Sequence, residues 1–71
     1  MKPVREFREQ IIEAAKAHFE ASIHRHRMNA ELILEHSVAV AEHPDMMETL
    51  ETELSKMAEY HDRLEMLETY F

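Results

Sequence analysis

The chain of 71 residues has no glycine, no cysteine and no tryptophan, and only two prolines. Without glycine it can form neither a Gly-rich phosphate loop nor the strained turn of a nucleophile elbow. Without cysteine, disulfides cannot supply stability, and nucleophilic catalysis has no candidate, because the three serines sit in ordinary helical positions. Long apolar runs are also missing. No stretch approaches the roughly 20 apolar residues of a membrane span. The start, Met1-Lys2-Pro3-Val4-Arg5-Glu6, lacks the apolar run and cleavage site of a secretory signal. A soluble cytoplasmic protein with no membrane association is the expectation. Basic charge is scarce, with 8 Lys and Arg against 15 Asp and Glu and a formal charge of −7. That balance disfavours binding to nucleic-acid phosphates. The one basic run, His24-Arg25-His26-Arg27, points in four directions on a helix and makes a belt instead of a stripe.

What remains is helix-forming sequence with one clear interruption, His43-Pro44-Asp45. The expected fold is all-α, a single domain over residues 1–71. It is an antiparallel helical hairpin with a long helix over about 3–42, a turn at 43–45 and a second helix over about 45–70. Pro3 suits the first turn, where its missing N–H is not needed. Glu6, Glu9, Glu13, Glu20, Arg27, Glu31, Glu35 and Glu42 gather on one exposed side, with Arg27 and Glu31 spaced to pair. The opposite side repeats every seven residues through Ile12, Phe19, His26, Ile33 and Val40, widened by Ile23, Ala30 and Ser37. A break near Met28-Asn29 would give three shorter helices, but no Gly or Pro marks one there. The second helix has Asp45 and Glu48 in its first turn, where the dipole favours negative charge, and His43 or Asp45 as a cap. Its expected core runs Met47, Leu50, Leu54, Met57, His61, Leu64, Glu68 and Phe71, flanked by Met46, Tyr60 and Leu67.

A tight turn pairs residues whose numbers sum to about 87, setting Val40 against Met47, Ile33 against Leu54, His26 against His61, and Phe19 against Glu68. Residues 3–15 then project past the second helix by roughly 20 Å. One small hairpin buries too little apolar surface to be stable alone. The overhang (Val4, Phe7, Ile11, Ile12) and a second face (Ala14, Ala21, Met28, Leu32, Ala39) therefore call for association. The expected solution is a twofold homodimer forming a four-helix bundle, with Val4, Phe7, Ile11, Ile12, Met28 and Leu32 at the interface. In topology this resembles the small plasmid-regulatory helical hairpins that dimerise into four-helix bundles. The resemblance assigns no residue a role, and the RNA-binding members use a basic face that this chain lacks.

Six histidines are the chain's unusual content. His26 and His61 are expected in one core layer, with Glu65 a turn further on and Ser22 and Asn29 close by. Such a layer is either a polar device that fixes register or a bundle metal site for zinc, nickel, copper or iron. Clustered imidazoles also suit a pH-sensitive interface. The Glu-x-x-His motif of di-iron bundles is absent, as is His-Glu-x-x-His. His18, His24, His36 and His43 read as surface or boundary residues, Glu20 and His24 as an exposed pair. The methionines read as core packing. No residue qualifies as catalytic and no cofactor is expected. The leading functional expectation is a non-catalytic regulator or adaptor that self-associates and binds a protein partner. A metal-binding bundle using His26, His61 and Glu65 is the alternative, and an acidic nucleic-acid mimic that inhibits a basic protein is the second.

Overall fold

The computed structural model describes the backbone of residues 4–40 and 44–71, and the side chains of residues 6–35 and 45–71. The expected turn and its cap His43 lie largely outside these residues, as do Pro3, Glu42 and the side chains of Val4, His36, Ser37, Ala39 and Val40. The described residues form two helices, α1 over Val4–Val40 and α2 over Pro44–Tyr70. They pack against each other as an all-α hairpin. Helix α1 runs unbroken for 37 residues, through Met28 and Asn29, as expected of a stretch with no Gly or Pro. In α2, Pro44 occupies the first position, where a backbone N–H is not needed. The Thr49 and Thr52 hydroxyls donate to the carbonyls of Asp45 and Glu48, one turn back. The last turn closes with the Phe71 N–H on the Leu67 carbonyl.

The inner side of α1 follows the expected repeat. Ile12, Phe19, His26 and Ile33 are buried or half-buried, with Ile23 and Ala30 on one flank and Ala15, Ser22 and Asn29 on the other. The acidic side is exposed, and Arg27 pairs with Glu31 at 3.3 Å.

The inner side of α2 departs from expectation by one residue. The half-buried positions are Met46, Leu50, Glu53, Met57, Tyr60, Leu64 and Leu67, in strict four-three alternation, with Glu59 half-covered beside them. Met47, Leu54, His61 and Glu68 face outward instead. Both possible stripes share Leu50, Met57 and Leu64. The difference lies between Met-Glu-Tyr-Leu at 46, 53, 60 and 67 and Met-Leu-His-Glu at 47, 54, 61 and 68. Tyr60 and Leu67 bury far more apolar area than His61 and Glu68. The one unfavourable exchange, Glu53 for Leu54, is offset by hydrogen bonds from α1.

The register differs as well. Contacts join His26 and Asn29 to Glu53, and His18, Phe19 and His26 to Tyr60. Their numbers sum to 78–86, all below the 87 expected of a tight turn. Helix α2 therefore reaches further along α1, and the projecting end of α1 is shorter than the expected residues 3–15. The hairpin is thin, 58 × 19 × 13 Å, with a radius of gyration of 16.9 Å. A compact domain of this length has a radius near 11 Å. Its surface of 5941 Å² exceeds the roughly 4,700 Å² of a compact protein of this mass.

Candidate functional site

The middle of the hairpin is held by polar groups. His26 is 8% exposed, and its Nδ1 lies 2.5 Å from Oε2 of Glu53. Asn29 Nδ2 donates to the same oxygen at 3.3 Å. On the other edge of the imidazole, Arg25 Nη2 is 3.2 Å from Nε2. A guanidinium can only donate, so Nε2 is the acceptor, and the proton on Nδ1 is the one donated to Glu53. In this arrangement both ring nitrogens are engaged. Two donors thus converge on a carboxylate whose side chain is 16% exposed. The hydrogen bond from His26 holds the Glu53 carboxyl below its ordinary range, against the opposing effect of burial, with Asn29 and the nearby positive charge adding to the depression. Among the described residues no fully buried side-chain nitrogen or oxygen lacks a hydrogen-bond partner.

An aromatic stack continues the layer. The Tyr60 ring lies 6.0 Å from that of His26 at 13°, almost parallel. His18 meets Tyr60 edge-on at 5.9 Å, and Phe19 lies 6.2 Å from it. The Arg63 guanidinium sits 5.2 Å from the Tyr60 centroid, within reach of the ring's negative face.

The expected layer of two histidines is not formed, and Glu53 and Tyr60 meet His26 in place of His61. His61 is exposed. It borders an open apolar groove with Ile23, Leu54, Met57 and Ala58, and shares a shallow depression with Glu65 and Glu68. Ser22 is buried on the inner side of α1, one turn before His26. Among the described residues no three His, Asp or Glu side chains converge as a metal shell. Around His26 the geometry is that of a pinned imidazole: one nitrogen is taken by a carboxylate and the other faces a guanidinium, whose charge opposes a cation.

The expected interface residues lie mostly on the surface. Phe7 and Ile11 are each 59% exposed, Met28 62% and Leu32 52%. Ile12 instead is half-buried on the inner side. The sequence reading missed Glu53, Arg25 and Arg63 as members of the central layer, and Leu34, Met47 and Leu54 as exposed apolar residues. A usable signal was present. The four-three series through Met46, Leu50, Met57, Tyr60, Leu64 and Leu67 leaves an acid at position 53, and such an acid needs a donor from the only polar position in the α1 repeat.

Among the described residues no helix is long and apolar enough to cross a membrane. Compared with known proteins, the chain matches no family model, no curated protein and no solved structure.

Proposed function

We propose that the protein is a non-catalytic helical hairpin that pairs with a second copy into a four-helix bundle and acts by protein–protein contact, as a small regulator or adaptor. One observation carries the reading. Among the described residues Ala30 is the single buried apolar side chain, while ten large apolar residues, from Phe7 to Phe71, remain broadly exposed. A hairpin whose interior is this slight gains most of its burial from association. The pinned state of His26 supports a structural role for the central layer. A buried polar set of this kind fixes which residues face each other.

Native mass spectrometry on untagged protein, purified without chelators, tests the proposal. A metal-free dimer at micromolar concentration is expected. A monomer there removes the basis for self-association. A dimer that carries a stoichiometric metal ion, lost on His61→Ala, overturns the metal-free reading in favour of a metallated bundle.

A further inference from the structure

The hairpin carries apolar surface on two opposite sides. On one side Ile23, Leu54 and Ala58 line the groove. On the other side a second stripe runs down α1 alone, with Phe7, Ile11, Met28 and Leu32 as its large exposed members. Alanines 14 and 21 fill the stripe's middle, together with His18 and Arg25 on its edge nearest α2, where they also reach Tyr60 and His26. The steps along it alternate four and three, the spacing of a coiled-coil seam.

Resting on the reading that the hairpin self-associates, we infer that the second copy docks on this outer stripe of α1, antiparallel, with the twofold axis between residues 19 and 20. The stripe is its own mirror image. Its step pattern is the same from either end, and antiparallel copies bring together residues whose numbers sum to 39. Phe7 then meets Leu32 of the second copy, and Ile11 meets Met28. Nearer the axis, Ala14 meets Arg25, and His18 meets Ala21. Large apolar groups pack on large apolar groups at both ends, and each bulky polar side chain lies over an alanine that leaves room for it. An unrelated partner places no such symmetry on a sequence, whereas a twofold contact requires it.

Alternative arrangements fit worse. A parallel pair sets Arg25 against Arg25 and His18 against His18 across the seam, placing like charges together. The flanking positions of the antiparallel pair hold no like charges. On the flank away from α2, Gln10 faces Glu31 and Ala17 faces His24, while Ala15, Ser22 and Asn29 on the other flank turn to α2. On the same side α2 presents a hydrated surface, where Glu59 accepts from Lys56 at 3.3 Å and from Arg63 at 2.6 Å. The contact therefore belongs to α1 and extends for about 38 Å, from residue 7 to residue 32.

A charge-swap experiment followed by sedimentation velocity tests the register. Ile11→Lys and Met28→Glu, made singly, are each expected to weaken the dimer by about 100-fold or more, because each buries an unpaired charge twice across the axis. The double variant Ile11→Lys/Met28→Glu brings opposite charges together at both places. It is expected to recover association to within about tenfold of wild type, together with its helical circular dichroism. That recovery separates a register effect from a folding defect. A double variant no better than either single one overturns the antiparallel register. Single variants that leave the dimer intact overturn the stripe as interface while self-association stands, and dissociation by Leu54→Glu then assigns the contact to the groove. A wild type that sediments as a monomer removes the reading on which the inference rests.

Discussion

Helix α1 has two long faces with inverted chemistry. The face turned to α2 carries Ser22, His26 and Asn29 in its middle, and among the described residues its one buried apolar side chain is an alanine. The lateral face beside it carries Phe7, Ile11, Met28 and Leu32, each more than half exposed. In a self-sufficient domain the larger apolar groups would lie inside. Here the inner face supplies alignment, through hydrogen bonds that tolerate little displacement, and the outer face holds the apolar area that association can bury. Pairing within the chain and the proposed pairing between chains thus draw on different interactions, and each should be open to disturbance by itself.

The largest separation between the two faces is expected from one substitution on each. Ala30→Glu puts a carboxylate at a position 5% exposed with no donor assigned to it. It should cost about 3–5 kcal/mol and dismantle the hairpin. Leu32→Glu, two residues further on, should leave the inner contacts untouched and weaken association. Urea unfolding followed by circular dichroism, beside sedimentation at matched concentration, reads both. Equal losses of helicity in the two variants would mean that the faces are not independent.

A smaller effect is expected within the polar layer. Glu53→Ala leaves the His26 and Asn29 donors without their acceptor and should cost about 1–3 kcal/mol. Replacing both partners, His26→Leu with Glu53→Leu, should be neutral or stabilising in urea while loosening the register. Proton linkage adds an independent signature. The Glu53 carboxyl titrates below its ordinary value of 4.5 in the folded chain. Its contribution is therefore complete above pH 4.5 and fades as pH falls through the lower native value. The stability difference between wild type and Glu53→Ala should be constant near neutral pH and shrink below about 4.5. A difference that grows on acidification would reverse the assigned sign.

Much of this was legible in the residues. The absence of Gly and Pro between Val4 and Val40 implied one long α1, and the heptad through Ile12, Phe19, His26 and Ile33 marked its inner face. Phe7, Ile11, Met28 and Leu32 were visible as exposed apolar residues, divided between an overhang and a second face and not as one stripe. Helix α2 was less legible, because two stripes one residue apart share Leu50, Met57 and Leu64. Hydropathy favoured Leu54 over Glu53, and the choice turned on a hydrogen bond from the other helix, which no single-helix pattern contains. His61 was misplaced as a direct result: once Tyr60 turns inward, its neighbour turns out. The register followed the same cause, since pairing His26 with Glu53 is incompatible with the sum of about 87 expected of a tight turn.

The smallest effect concerns charge on the surface of α1. Arg27 and Glu31 pair at 3.3 Å with side chains 60% and 61% exposed. Such a pair pays side-chain entropy for a screened attraction, and here the arginine precedes the acid, the less favourable order on a helix. Glu31→Gln should change stability by less than about 0.5 kcal/mol, and by less still in high salt. The measurement sharpens the contrast between the faces because Glu31 borders the outer stripe, level with Gln10 of an antiparallel second copy. In the isolated hairpin the substitution is close to silent. A loss above about 1 kcal/mol that depends on protein concentration would show the carboxylate to be partly covered in the assembly. The boundary of the contact would then extend beyond the apolar stripe.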